Sequence, residues 1–291
     1  MWLASVALLL LLAPADSDEP PYWVEKLTGN LQYASSVRWF KDGYLLIADL
    51  PAGKVMKVDG EGSSLFRQDA WVSAMEQDSE GRAYYADPRA HRITRIDKKG
   101  KVETVADKFE GRRLNGPSGL AMSKNNHLWF TDSAFATADK EKELTHNGVY
   151  HLTPKGELSL VAKMAGRPNG IALSPDGKSL YVVDSDARTV VIWDIDRQGA
   201  ASNQRVLTKT KEGVPNGIMA APDGRLFVAG AKVEVYSPTG AFQMAIEISE
   251  KPSDMVFGDA DLTALYVAAR TSVYRVRFKP QASGGKTGKG N

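Results

Sequence analysis

The chain has 291 residues, with 37 Lys plus Arg against 35 Asp plus Glu, a formal net charge of +2 and no long basic run. A nucleic-acid partner is therefore not expected, because neutralising phosphates needs clustered cations. Hydrophobic residues at 43% and charged residues at 25% exclude intrinsic disorder and a multi-span membrane protein as overall classes. There is no cysteine, hence no disulfide, no thiolate nucleophile and no Cys-based zinc site, and no two of the four histidines have the spacing of a helical HExxH motif.

Taken in chain order, the apolar run from Trp2 to Ala13 followed by Ala13-Pro14-Ala15 reads as a secretory h-region with a small-residue cleavage site. It is shorter than the roughly 20 residues of a spanning helix. Residues 1–15 are thus read as a signal peptide, with the mature protein beginning at Asp16 and exported to a periplasmic or secreted location. Residues 16–278 are read as one domain, and the Gly-, Ser- and Lys-rich residues 279–291 as a flexible tail.

One pattern then recurs: a short polar opening, an alternating strand, a turn, and a strongly apolar strand usually ending in Asp. The copies are SSVRWFKDGYLLIADL from Ser35, SAMEQDSEGRAYYAD from Ser73, SGLAMSKNNHLWFTDS from Ser118, NGIALSPDGKSLYVVDS from Asn169, NGIMAAPDGRLFVAG from Asn216 and SDMVFGDADLTALYVAA from Ser253. Their second strands end at Asp49, Asp87, Asp132, Asp184, Gly230 and Ala269, a spacing of roughly 38 to 52 residues that suits propeller blades. A third strand and usually a fourth follow each copy, so each repeat is a four-stranded antiparallel meander. The last copy stops after its third strand, while YWVEKLTG from Tyr22 precedes the first. The pattern predicts an all-β, six-bladed β-propeller whose N-terminal strand completes the last blade and closes the ring.

In such a ring the first strand of every blade lines the channel. Its opening residues are Ser35, Ser73, Ser118, Asn169, Asn216 and Ser253, with Asp254 beside the last, and all are polar. Strand starts favour Ser and Asn for local turn bonds as well. Asp254 is the one carboxylate placed near this ring, has no obvious partner in the sequence, and is assigned the catalytic role. The recurrent strand-end aspartates fall in separate blades and are read as Asx-type turns, and the PDG triplets at 175–177 and 222–224 as hairpin turns. GPSG from Gly116 lacks the spacing of a nucleophile elbow. The third repeat carries extra length from Ser133, which sets Phe135 and His146 over the channel mouth as substrate-binding residues. Arg113 and Ser118 join them, the guanidinium suited to a substrate carboxylate. His91 and His151 are read as surface or packing residues.

RLNGPSGLAMSKNNHLWFTDS, RPNGIALSPDGKSLYVVDS and VPNGIMAAPDGRLFVAG together resemble the senescence marker protein, gluconolactonase and regucalcin family of six-bladed propellers, over nearly the entire mature chain. The resemblance implies hydrolysis of a lactone or ester at a divalent cation, usually calcium, in the channel. It sets the metal ligands at Ser35, Ser118, Asn169 and Asn216. SSVRW stands where the family has EGPVW, so Ser35 replaces a Glu; NGPSG stands for NGPND, placing Ser118 at an Asn; Asn169 is kept; and Asn216 replaces an Asp. Both carboxylates of that pattern are gone, which lowers the affinity for a hard dication. Two readings stay open: an exported gluconolactonase-like hydrolase, and a noncatalytic propeller binding a small polar ligand or a protein. A metal-free lyase or synthase-like propeller is a third, for which the sequence offers no acid–base pair. The expected partner is a small molecule, with no membrane span and a monomeric chain.

Overall fold

The computed structural model describes residues 19–68, 70–135, 141–259 and 261–279. Residues 1–18, which include the segment expected to be a signal peptide, residues 136–140 of the third-repeat insertion, and residues 280–291 of the expected tail lie outside the described residues.

Six four-stranded antiparallel sheets form the blades. Blade 1 holds Ala34–Phe40, Tyr44–Asp49, Lys54–Asp59 and Gly62–Gln68. Blade 2 holds Ala74–Gln77, Ala83–Asp87, Arg92–Ile96 and Val102–Ala106. Blade 3 holds Pro117–Met122, Leu128–Asp132, Asn147–Leu152 and Leu158–Met164. Blade 4 holds Pro168–Leu173, Ser179–Asp184, Thr189–Ile195 and Ala201–Lys209. Blade 5 holds Ile218–Ala220, Leu226–Ala229, Val233–Tyr236 and Phe242–Ile246. Blade 6 holds Pro252–Gly258, Ala264–Ala269 and Ser272–Phe278, and its outer strand is Tyr22–Thr28.

That N-terminal strand pairs antiparallel with Ser272–Phe278, Tyr22 opposite Phe278 and Lys26 opposite Tyr274, so the ring closes as the repeats predict. Beyond the repeat, Lys108–Phe109 and Arg112–Arg113 form a small hairpin between blades 2 and 3. Among the described residues no helix is long and apolar enough to cross a membrane.

The apolar second strands follow from packing on both faces. Along Tyr44–Asp49, Leu45 and Ile47 point into the cluster shared with blade 6, while Leu46 and Ala48 point into the cluster shared with blade 2. Each neighbouring pair of blades holds one such cluster, six in all. A strand sandwiched in this way reads as continuously apolar rather than alternating. The outermost strands face water, as the mostly exposed Gly62–Gln68 shows.

At the axis, backbone meets backbone. A Cβ on Gly119 would lie 2.5 Å from Asn169 O, one on Gly170 2.4 Å from Asn216 O, and one on Gly217 2.6 Å from Ser253 O. Glycine after the opening residue is thus what lets blades 3 to 6 converge, and Gly170 N donates to Asn216 O at 2.8 Å across the gap.

Candidate active site at the channel axis

The six opening residues, Ser35, Ser73, Ser118, Asn169, Asn216 and Ser253, do form one ring around an axial pocket, with Asp254 and Arg38 also lining it. Its volume of about 30 Å³ is close to the share of one water molecule. A pocket of this size is too small to take a whole sugar lactone.

Several ring hydroxyls are already at work between blades. Ser35 Oγ donates to Val72 O at 2.7 Å and Ser73 Oγ to Pro117 O at 2.8 Å, while Ser253 Oγ donates to Ala34 O. Ser133 and Ser185 perform the same task from blades 3 and 4, donating to Pro168 O and Pro215 O. Each hydroxyl donates to a carbonyl in the leading segment of the neighbouring blade and so ties the two blades together at the axis. Ser118 instead donates to its own loop, at Gly116 O. The amides are freer: Asn169 Nδ2 reaches Ser185 Oγ at 3.4 Å, and Asn216 Nδ2 donates to the Tyr33 hydroxyl at 3.2 Å. Burial pushes the Tyr33 hydroxyl above its ordinary pKa, so it stays a neutral partner.

The expectation that Asp254 stands without a partner is corrected. Its Oδ2 accepts from Ser36 Oγ at 2.9 Å, from Val37 N at 3.1 Å and from Arg38 Nη1 at 2.9 Å. Arg38 Nη2 also faces Glu76 Oε1 at 3.3 Å. Burial acts against the Arg38 charge, but Asp254 and Glu76 outweigh it and hold the pKa above the ordinary arginine value. Sequence reasoning passed over Arg38 and Glu76. The signal was there, because the fourth position of the repeat is apolar in blades 3 to 6, as Ala121, Ala172, Met219 and Val256, and charged only in blades 1 and 2.

Three sequence-assigned substrate contacts lie off the axial pocket. The Arg113 side chain faces the insertion, donating to Glu141 O at 2.8 Å with Nε 3.7 Å from Glu143. His146 meets the Tyr150 hydroxyl at 3.2 Å, and its carbonyl accepts from Asn115 Nδ2. Phe135 is 42% exposed under the Arg167 guanidinium, 4.8 Å from its ring centroid. For Arg113 the physical reason is that its charge pairs with Glu143 of the insertion instead of turning to the axis, while Phe135 is drawn to Arg167 and His146 to Tyr150.

The strand-end aspartates divide. Asp87 accepts from Ala90 N and Asp184 from Asp186 N and Ala187 N, which are the expected turn bonds. Asp49 and Asp132 instead reach back to the loop before their own inner strand, Asp49 accepting from Gln32 N and Tyr33 N, Asp132 from Asn115 N and Gly116 N. They fix the mouth loops without facing the axis. His91 Nδ1 meets Asn115 O at 2.6 Å, and His151 packs on Trp129.

The residues that would take a dication are thus neutral oxygens: Ser118, Asn169, Asn216 and a Ser35 hydroxyl bonded to backbone. The one carboxylate on this pocket is engaged by a guanidinium. Among the described residues no three His, Cys, Asp or Glu side chains converge. A hard dication is stabilised mainly by anionic oxygens, so this donor set does not fit one.

The chain is 29% identical to a gluconolactonase of Zymomonas mobilis, over 88% of this chain and 81% of the relative. Among solved structures, a gluconolactonase of Xanthomonas campestris superposes with a TM-score of 0.82 at 24% identity, covering 88% of this chain and 89% of that one. A calcium-binding protein, regucalcin, of Agrobacterium tumefaciens gives 0.71 at 18%, covering 87% and 94%. With the model of the SMP-30/Gluconolactonase/LRE-like region matching residues 33–271, from the first mouth loop to the last, the chain belongs to that family.

Proposed function

We propose that the protein is an exported hydrolase that opens a lactone or ester at the mouth of the channel. The observation that carries this reading is the Asp254–Arg38 pair at the base of a pocket ringed by neutral polar groups, in a chain similar to a gluconolactonase over most of its length. Asn169 and Asn216 present amides that exchange hydrogen bonds with substrate hydroxyls. The guanidinium of Arg38 faces the charge that develops on the acyl oxygen. All three bonds to Asp254 fall on Oδ2, and Gly217, which has no side chain, leaves room for Oδ1. Oδ1 takes a proton from the attacking water. Water oxygen bonds to the acyl carbon, the ring C–O bond breaks, and the proton passes to the leaving alkoxide, giving a hydroxy acid. Calcium or another divalent cation, expected at Ser35, Ser118, Asn169 and Asn216, is not fitted by those neutral donors.

The test is proton release from a panel of sugar and aliphatic lactones by protein lacking residues 1–15. Saturable turnover, lost in Asp254→Asn and in Asn169→Ala with melting curves preserved, is the expected result. Turnover equal to wild type in both variants would move the chemistry away from the ring. A second reading, a noncatalytic propeller that binds a small polar ligand, is favoured by the commitment of Ser35, Ser118 and Asp254 to protein bonds. It predicts a folded protein with no turnover of any lactone in the panel.

A further inference from the structure

A cavity larger than the ring pocket opens on the other face. It has a volume of about 810 Å³, within the range of small-molecule sites. It is coaxial with the channel, because all six fourth-position residues of the inner strands line it: Arg38, Glu76, Ala121, Ala172, Met219 and Val256. Arg38 lines both this cavity and the ring pocket and so forms the partition between them.

The collar is divided by blade. Blades 1 and 2 contribute the guanidinium and the Glu76 carboxylate, while blades 3 to 6 contribute apolar groups. The wall is extended by Trp39, Met122 and Leu173, each only partly buried. An apolar wall left open to water in a concave setting is the mark of a ligand site rather than of a core. The methionines are unbranched and adapt to the shape of a guest.

Charge selects the guest. One guanidinium serves two carboxylates, and it serves them unequally: Arg38 is 2.9 Å from Asp254 and 3.3 Å from Glu76. Asp254 also accepts from Ser36 and Val37 N and lines only the ring pocket, so the residual negative charge belongs to Glu76, which lines only the larger cavity. Burial pushes the Glu76 carboxyl up, with Arg38 opposing the shift and the nearby Asp254 charge adding to it, so a cation placed beside Glu76 would favour its ionised form. The rim carries three cations against two anions, a net charge of +1. Lys124, Lys178 and Arg197 stand there with Asp176 and Asp196, and both aspartates are spent on turns, Asp176 on Ser174 Oγ and Lys178 N, Asp196 on Gln198 N and Ala200 N.

We propose that this cavity is a second ligand site, on the face opposite the ring, for a small organic monocation: an ammonium group beside Glu76 and an apolar body along Met219, Val256, Ala172 and Ala121. The basic rim disfavours a second ammonium at the outer end and accepts a polar or anionic one. The site shares Arg38 with the ring pocket but none of its six opening residues, and amine binding is read without turnover, so it is tested apart from the hydrolase reading.

Calorimetric titration of the mature protein with phenethylamine, hydrocinnamate and phenethyl alcohol compares a cation, an anion and a neutral group on one apolar body. Phenethylamine is expected to bind at least about tenfold more tightly than either analogue, about 1.4 kcal/mol or more. Glu76→Gln, which keeps a carbonyl for Arg38 but removes the charge, is expected to abolish that preference. Met219→Lys, which brings a competing ammonium into the collar, is expected to do the same. Hydrocinnamate binding as tightly as the amine would overturn the proposal, as would no binding of the amine or a preference that survives Glu76→Gln. Should a variant fail to fold, the amine-against-acid comparison on the native protein decides.

Discussion

Replacing Gly170 by Ala tests the idea that bare backbone sets the width of the waist. The new Cβ would lie 2.4 Å from Asn216 O, 2.7 Å from Ile218 N and 2.8 Å from Gly217 Cα, all of them backbone atoms of blade 5. Unlike a flexible side-chain tip, these atoms cannot swing away, so blades 4 and 5 must part by about 0.8 Å to restore ordinary contact. That displacement strains the Gly170 N to Asn216 O bond and loosens the cluster that joins the two blades. Overpacking of this kind costs about 2–4 kcal/mol. At about 2–4 °C per kcal/mol for a domain of this size, the melting temperature falls by about 4–16 °C. Gly43→Ala is the control, because Gly43 has φ of +85° and nothing within 4 Å of its Cβ. Its cost is conformational only, about 1 kcal/mol. Thermal unfolding of both variants with the lactone assay alongside makes the comparison. Gly170→Ala should be the more destabilised and should also lose turnover, because Asn169 and Asn216 move apart. A Gly170→Ala protein within 2 °C of wild type, on the order of what a neutral surface change gives, or less affected than Gly43→Ala, would refute the argument.

The remaining predictions concern charge, metal and export. Burial, with a smaller contribution from His127, lowers the pKa of His151 from 6.5 to about 4, and His151 Nε2 lies 2.7 Å from His127 Nδ1. A base whose folded pKa lies below its unfolded value gives stability that is present above pH 6.5 and is lost as pH falls toward 4. His151→Phe should flatten that part of the urea-unfolding profile, and an identical slope in wild type and variant would contradict the assignment. If the neutral ring holds no catalytic dication, chelator should leave lactone turnover unchanged and calorimetry should detect no saturable calcium binding. Turnover abolished by chelator and restored by calcium would show that Asn169, Asn216 and Ser118 suffice. Mass spectrometry of the exported protein should find Asp16 as its N-terminus, and recovery of the chain in the cytosol with Met1 intact would exclude export.

Much of the fold was legible because it is a repeat. The six apolar second strands, the turn before each and the unpaired segment at Tyr22 encode the blade number and the closure, and each is a local pattern that one stretch of chain displays. The ring of Ser35, Ser73, Ser118, Asn169, Asn216 and Ser253 was legible for the same reason, since equivalent positions in equivalent blades must face the same axis. Relations between blades were decided only by the tertiary structure. Arg38 and Asp254 are 216 residues apart in sequence, and no local pattern announces that closing the ring brings them within 2.9 Å. The Ser35 hydroxyl looked like a potential ligand until the neighbouring blade supplied the carbonyl it satisfies, and Ser118 until Gly116 of its own loop did. Arg113, Phe135 and His146 were placed over the mouth by their loop, whereas their partners are on the insertion and the adjacent loops. The cavity on the opposite face is likewise a property of six strands together, since the amino acids that divide it into a charged and an apolar half are brought around one axis only when the ring closes.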